Sequence, residues 1–504
     1  MDRKKHLSIF LLLAVFIIAI CGLVYELVAG ALASYLLGDS VKQFSFIIGT
    51  YLFSMGVGSY LAKFIHKNLF DRFIEIELLI GLIGGTSSVI LFLLFQQVNH
   101  FQFILYFIVF LTGCLCGMEI PLLMNILKDR VKFKDLVSNV FAFDYIGALI
   151  ASVLFPILLI PKLGVMGTSL VFGIINVSVG VFLAFYLSKF LKRPVLMKIK
   201  AILSLVFLIG VFAYSDNLLT YSENQLYGNN IIYKHSTPYQ RIVLTSDNGN
   251  YQLFLNNNLQ FNTKDEYRYH ESLVHPAMSI AKDPKHVLVL GGGDGLAARE
   301  ILKYPSVEEI VLVDLDEGMT KLFQTNEILR KYNADALNSP KMKVVNQDAF
   351  IWLQDHHNTY DVIIIDFPDP SNYSLGKLYT TAFYKRLRAL MKENTLIAVQ
   401  TTSPYYAPKA YWCIHETIRS VYPQVHAYHV YVPSFGEWGY CLFSPDQKVD
   451  FNQVNQQVSG LKFYDYNLGK LSDFAEDMQP REVEINRLDN QILVRYFDEE
   501  WSKI

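Results

Sequence analysis

Val287-Leu288-Val289-Leu290-Gly291-Gly292-Gly293-Asp294-Gly295 runs from an apolar strand through a glycine-rich turn into a helix that begins at Leu296. Strand, glycine turn and helix in that order form the setting a nucleotide-binding loop requires, because glycine lets the backbone approach a ligand that a side chain would block. A tight turn without a ligand is the competing reading. Asp294 is the informative residue: a loop that cradles phosphate avoids a carboxylate, whereas one facing a cationic sulfonium or amine uses it. The alternation continues downstream, with strand-like runs at 286–290, 310–313, 343–346, 362–365 and 395–400 separated by helical stretches. It predicts a mainly parallel, helix-flanked sheet, an α/β Rossmann-like domain.

Upstream of Pro284 the pattern differs. From about Tyr221, short runs such as 241–245 and 251–255 alternate with polar turns and predict a small β-rich subdomain. Before residue 215 charge is scarce, although the whole chain of 504 residues is 52% hydrophobic and 18% charged. Apolar stretches of spanning length lie at 7–29, 44–65, 73–95, 101–127, 140–160 and 165–187, and a seventh run at 201–214 is shorter, near 14 residues. The expected organisation is a multi-pass α-helical membrane bundle of six to seven spans at 1–215, the β-rich subdomain at 216–283, the Rossmann-like domain at 284–445 and a C-terminal extension at 446–504.

Basic residues alternate with the spans. Arg3, Lys4 and Lys5, then Lys67 and Arg72, then Lys128, Arg130, Lys132 and Lys134, then Lys189, Lys192, Arg193, Lys198 and Lys200 fall on one side, against Lys42 and Lys162 on the other. The expectation is a protein of the cell membrane with a cytoplasmic N-terminus. Six spans keep the C-terminal half in the cytoplasm and a seventh carries it across. The basic start and the Ala31-Leu32-Ala33 stretch imitate a cleavable signal, but the apolar run is long enough to span and Tyr25 and Glu26 interrupt the approach, so cleavage is not expected. Glu26, Glu119 and Asp144 sit at or inside spans, where an unpaired charge is costly; a cationic ligand and internal pairing are both open readings. Small residues at 49–59 suit close helix packing. Net charge of −2 gives no sign of a nucleic-acid partner, and none is expected; five cysteines, three of them in apolar stretches, form no disulfide framework.

Chemistry gathers at the predicted strand ends. Asp314 closes the second strand, about where an acid accepts hydrogen bonds from ribose hydroxyls, with Asp316 beyond it. Asp348, before Ala349, follows the third strand and is placed to meet the exocyclic amine of adenine. Together with Gly291 and Gly293 these describe an adenosine site without a phosphate site. The fourth strand delivers Asp366-Phe367-Pro368-Asp369-Pro370, the prolines stiffening the turn between the two acids. Asp294, Asp366 and Asp369 facing one crevice repel one another unless a cation is present, and a diamine or polyamine supplies it. The reaction that suits these parts is displacement at the carbon next to a sulfonium sulfur, with Asp366 at the attacking nitrogen and Asp294 and Asp369 holding the remote ammonium. Gln240 is placed to reach ribose or the sulfur side, and Tyr269 with His270 to close over an alkylammonium chain.

Taken together, Tyr239-Gln240, the run from Asp265-Glu266 to Glu271, Gly291 to Gly295, Asp314, Asp348-Ala349, Asp366 to Pro370 and Leu378-Tyr379 to Tyr384 resemble the polyamine aminopropyltransferase (spermidine synthase) family over about residues 233–444. The hydrophobic front half resembles the membrane-bound bacterial branch of that family. The resemblance implies a fold like that of S-adenosylmethionine methyltransferases and transfer of an aminopropyl group from decarboxylated S-adenosylmethionine, the co-substrate, to putrescine, without a metal. It implies Gln240, Asp314 and Asp348-Ala349 as nucleoside contacts, His270 and Asp294 as polyamine contacts and Asp366 as proton acceptor. It also implies a homo-oligomer built partly through the β subdomain. Phe367-Pro368 stands where the family usually has small polar residues, Tyr373 lies near an expected proline, and Phe435 takes the place of a substrate-facing tyrosine. Two other readings use the same residues. A methyltransferase shares the sheet and the ribose acid, but its donor keeps a carboxylate that Asp294, Asp366 and Asp369 would repel. A polyamine transporter or sensor would use Glu26, Glu119 and Asp144 and a soluble half that only binds.

Overall fold

The protein is described by a computed structural model covering residues 2–503 except 38–39, 96, 99, 129–132, 228–229 and 446–448. Arg130 and Lys132 of the expected basic loop lie outside the described residues. The chain divides into two compact units, Met1–Ile231 and Ile232–Ile504.

The first unit is helical: α1 (Asp2–Leu37), α2 (Ser40–Ala62), α3 (Leu69–Leu94), α4 (Phe101–Leu127), α5 (Phe133–Leu154), α6 (Ile160–Tyr186), α7 (Pro194–Ala213) and α8 (Ser215–Tyr227). Among the described residues six helical segments are long and apolar enough to cross a membrane. They differ in two ways from the six expected. The stretches at 140–160 and 165–187 fall in one segment of 50 residues, Val137–Tyr186. At 1.5 Å per residue that is about 75 Å, roughly two bilayer cores of about 30 Å. Its break is at Gly164, whose φ of 66° and ψ of 179° leave the helix. The second difference is α7, a helix of 20 residues where the apolar run has about 14. Lys198 and Lys200 bound the apolar run but not the helix, since lysine is a good helix former and Pro194 suits a first turn. Inside the bundle Glu77, an acid within the expected span 73–95 to which the rule applied to Glu26, Glu119 and Asp144 extends, is fully buried; Asn176 of α6 donates to its carbonyl at 2.8 Å.

The second unit opens with β1 (Asn230–Ser236), β2 (Arg241–Asp247), β3 (Asn250–Leu255) and β4 (Asn258–Asn262), which form a sheet in that order. After α9 (Glu266–Ile280) come β5 (His286–Gly291), α10 (Leu296–Ile301), β6 (Glu309–Asp314), α11 (Glu317–Thr325), α12 (Glu327–Tyr332), β7 (Met342–Asn346), α13 (Ala349–Asp355) and β8 (Tyr360–Asp366). The chain continues through α14 (Tyr373–Gly376), α15 (Thr381–Leu387), β9 (Met391–Gln400), α16 (Pro408–Arg419), β10 (Val425–Val432), β11 (Gly436–Phe443) and α17 (Ile492–Trp501). The large sheet has the order β10-β11-β9-β8-β5-β6-β7. Strands β9, β8, β5, β6 and β7 pair in parallel, and the β10–β11 hairpin joins antiparallel at the β9 edge. This is the Rossmann-like architecture expected from the alternation.

Strand side chains alternate between two cores. Val287, Val289, Leu312 and Ile364 enter one, with α9 and α10, while Leu288, Leu290, Val313 and Ile365 enter the other, with α13 and α15. Both faces are covered, which is why these strands read as continuous apolar runs. Reversal of strand order beside β5 opens a crevice beyond the strand ends. At its floor Gly291 has φ +82°, and a Cβ there would lie 2.2 Å from the carbonyl oxygen of Asp366. Replacing Gly291 by Ala is expected to cost roughly 3 kcal/mol or more, from strain at that φ plus the clash. For a unit of this size that corresponds to a melting temperature about 6–12 °C lower. Thermal unfolding of the purified protein reads it, and an unchanged melting temperature would show that the turn tolerates a side chain.

Candidate functional site

The crevice is built by register. Parallel pairing sets Gly291 of β5 beside Asp366 of β8, and Asp314 of β6 beside Asn346 of β7, so the acids emerge along one edge. On the β6 side, Asp314 Oδ2 accepts from the Gly293 N–H at 3.0 Å and Oδ1 from the Asp316 N–H at 2.9 Å. Burial pushes the Asp314 carboxyl up to about 6, against those two hydrogen bonds. Asp316 is used differently. It caps α11 and accepts from Thr237 Oγ1 at 2.9 Å and Gln240 Nε2 at 2.7 Å, so it ties the turn carrying Gln240 to the sheet. Asp348 caps α13 directly before Ala349, and its Oδ2 is paired with Lys377 Nζ at 2.6 Å. That ion pair has no local signal in the sequence, because its partners are far apart along the chain.

On the β8 side, Tyr269 of α9 donates its hydroxyl to Asp366 Oδ1 at 2.6 Å. Burial pushes Asp366 up to about 6; His270 pulls it down and Asp294 pushes it up. Asp294 is held above the usual carboxylate range by burial, with His270 opposing, and its Oδ1 accepts from the Leu296 N–H at 2.9 Å. Asp369 is pushed up to about 7 by burial, with Thr402 and Gln400 opposing. Its Oδ1 is buried without a hydrogen-bond partner among the described residues. Thr402 beside it has φ 65°, a rare conformation for a β-branched residue and a sign of constraint near the acids.

His270 donates from Nδ1 to the carbonyl and carboxylate of Glu266 at 2.8 and 2.9 Å. Burial opposes its charge, but Glu266, with Asp294 and Asp366 behind it, holds the imidazolium up to about 9. Glu266 is gripped by both ends of the Arg299 guanidinium at 2.8 and 2.9 Å, which with His270 keeps its carboxyl down near 2 despite burial. The cation that the acids require is thus partly supplied by the protein.

Aromatic rings wall the Asp366 side. Phe435, Trp438 and Tyr440 lie 6.2, 6.3 and 5.6 Å from the Tyr269 ring, centroid to centroid. Phe435, at the expected tyrosine position, presents a ring without a hydroxyl. Tyr379 donates to the Pro368 carbonyl at 3.1 Å and accepts from Gln400 Nε2 at 2.8 Å, fixing the turn between Asp366 and Asp369. The C-terminal extension, which carries no motif in the sequence, also reaches the site. Glu271, next to His270, accepts from the backbone N–H groups of Lys462, Phe463 and Tyr464 at 2.8, 2.8 and 2.9 Å. Asn486 donates to the carbonyls of Gly376 and Tyr379, each at 3.1 Å. No group of three or more metal-ligating side chains stands at binding distance among the described residues.

Residues 266–455 match the model of the spermine/spermidine synthase domain. Over 98% of its length the chain is 52% identical to the polyamine aminopropyltransferase of Leptospira interrogans, covering 99% of that protein. It is 48% identical to polyamine aminopropyltransferase 2 of Ralstonia nicotianae, covering 98% of each. The crystal structure of spermidine synthase from Thermotoga maritima aligns with 55% of this chain and 88% of that one, at 24% identity and a TM-score of 0.44.

Raised acids make stability depend on pH. Asp369 binds its proton at about 7 when folded, against 3.8 as its ordinary value. The native state therefore holds the proton more tightly, and stability declines as pH rises from about 4 to about 7. Asp369→Asn removes that loss: the variant is expected to melt above the parent at pH 8, with the gap closing below pH 4. Melting curves across this range check it, and a gap independent of pH would contradict the assignment.

Proposed function

The chain belongs to the polyamine aminopropyltransferase family, and from that premise we propose that its crevice transfers the aminopropyl group of decarboxylated S-adenosylmethionine to putrescine, giving spermidine and methylthioadenosine. The observation that carries this reading is the convergence of Asp294 and Asp366 on His270, with Asp369 buried at the far end of the turn that Tyr379 fixes, a site for a dication rather than for a donor that keeps its own carboxylate.

In this reading Asp314 holds the ribose hydroxyls, and Gly291 and Gly293 leave the backbone open to the nucleoside. Gln240 lies on the ribose side. Asp348 meets the adenine amine and shares its carboxylate with Lys377; Ala349 flanks the ring. Asp369 and Asp294, with His270 and Tyr269, position the acceptor, and its remote ammonium sits against the acids. The acceptor nitrogen attacks the propyl carbon bound to sulfur, the carbon–sulfur bond breaks with its electron pair going to sulfur, and the proton released from nitrogen passes to Asp366. Tyr269 holds the accepting oxygen in line. Positioning and proton acceptance of this kind contribute about 10²–10⁴-fold each where measured.

We also infer that the first unit is embedded in the cell membrane with the N-terminus in the cytoplasm, supported by the length of its apolar helices and the one-sided basic residues. The catalytic unit belongs on the cytoplasmic side, as the family reading of the donor requires. That placement requires α7 to lie at the interface, although its 20 residues rise about 30 Å and are long and apolar enough to cross. A homo-oligomer is part of the same reading.

Purified protein given putrescine and decarboxylated S-adenosylmethionine should release methylthioadenosine; no release across a panel of amines would sink the assignment. Asp366→Asn is expected to lower kcat by about 10²–10⁴-fold while leaving donor binding nearly intact, and unimpaired turnover would remove Asp366 from its role. The rate should fall on the acid side as Asp366 and Asp369 protonate, with apparent values between about 6 and about 7. A profile flat down to pH 5 would contradict the roles given to these carboxylates.

A further inference from the structure

At one end of the helical unit, the α2–α3 connection, the start of α3 and Met118 of α4 enclose a cavity of about 530 Å³. Its rim carries Lys67 and Arg72, and its walls Ile65, Ile76, Leu79 and Met118. The nearby acids are already engaged. Glu75 is paired with Arg72 at 2.9 Å and Lys200 at 2.8 Å, and Asp71 accepts from the Lys192 N–H at 3.1 and 3.2 Å. Lys67 makes no hydrogen bond or ion pair among the described residues, so the rim keeps an excess of positive charge.

The apolar wall distinguishes this cavity from a simple anion site. From Arg72 to Leu79 the helix rises about 10 Å, enough to pass from the headgroup layer into the hydrocarbon. Leu79 and Phe64 are 45% and 62% exposed there, an apolar surface directly beneath two cations. A free phosphate has no use for that surface. A lipid with an anionic headgroup uses both parts, as basic pockets between membrane helices do. We propose that this cavity binds one anionic phospholipid, its phosphate between Lys67 and Arg72 and an acyl chain along Ile76, Leu79 and Met118. The inference rests on the bilayer reading of the first unit.

Native mass spectrometry of the full-length protein, purified from membranes and offered phosphatidylglycerol, phosphatidylcholine or inorganic phosphate, tests it. One phosphatidylglycerol should be retained at least about fivefold better than phosphatidylcholine, roughly what one or two juxtamembrane cations supply. Inorganic phosphate should not displace it, and K67Q and the K67Q/R72Q pair should abolish the preference while melting as the parent does. Equal retention of the two lipids, displacement by phosphate, or a preference that survives both variants would overturn the site. Recovery of the chain in the soluble fraction would instead overturn the bilayer reading, and the two failures are separate observations.

Discussion

The parallel pairing of β5 with β8 sets Gly291 beside Asp366, with Asp294 and Asp369 each three residues beyond, and the cost of holding their charge away from water shapes what surrounds them. Burial raises all three, and the protein offsets part of that cost with His270, whose imidazolium depends on Glu266, which depends in turn on Arg299. Tyr269 adds a hydroxyl donor to Asp366. What remains is a surplus of negative charge that an incoming diammonium satisfies. In the proposed reading substrate choice follows from this incomplete compensation, and the aromatic wall of Phe435, Trp438 and Tyr440 would shape the space for the alkyl chain.

The acids can converge because the glycine loop leaves no side chain between the strands. Gly291 nearly touches the Asp366 backbone, and Gly293 turns its N–H to Asp314, so a single loop sets both halves of the crevice. The C-terminal extension completes the frame from outside the matched domain. Glu271 gathers three of its backbone N–H groups one residue from His270, and Asn486 anchors the segment that follows the Asp366 turn.

Much of this is legible in the residues themselves. Strands buried on both faces read as apolar runs, and the positions of Asp314, Asp348 and Asp366 at their ends follow from alternation alone. Contacts between distant segments are not legible. Lys377 on Asp348, Arg299 on Glu266 and the extension on Glu271 leave no periodic trace, because each is a pairing made by the fold rather than by the local chain. Helix limits depart from the apolar pattern where apolarity and helicity part: Lys198 and Lys200 bound an apolar run inside α7, and Gly164 breaks the segment from Val137 to Tyr186 without the polar loop that usually marks a turn between spans. Glu77 is legible by the criterion that marks Glu119, since it too is an acid inside an expected span.

In the proposed reading uncompensated carboxylate charge selects the donor and the acceptor. Calorimetry of the full-length protein with decarboxylated S-adenosylmethionine and with S-adenosylmethionine separates the outcomes, since the two differ by one carboxylate at the end which that reading sets against Asp294, Asp366 and Asp369. The decarboxylated compound is expected to bind at least about 100-fold more tightly, a difference of roughly 2.7 kcal/mol. Equal affinity for the two would contradict it.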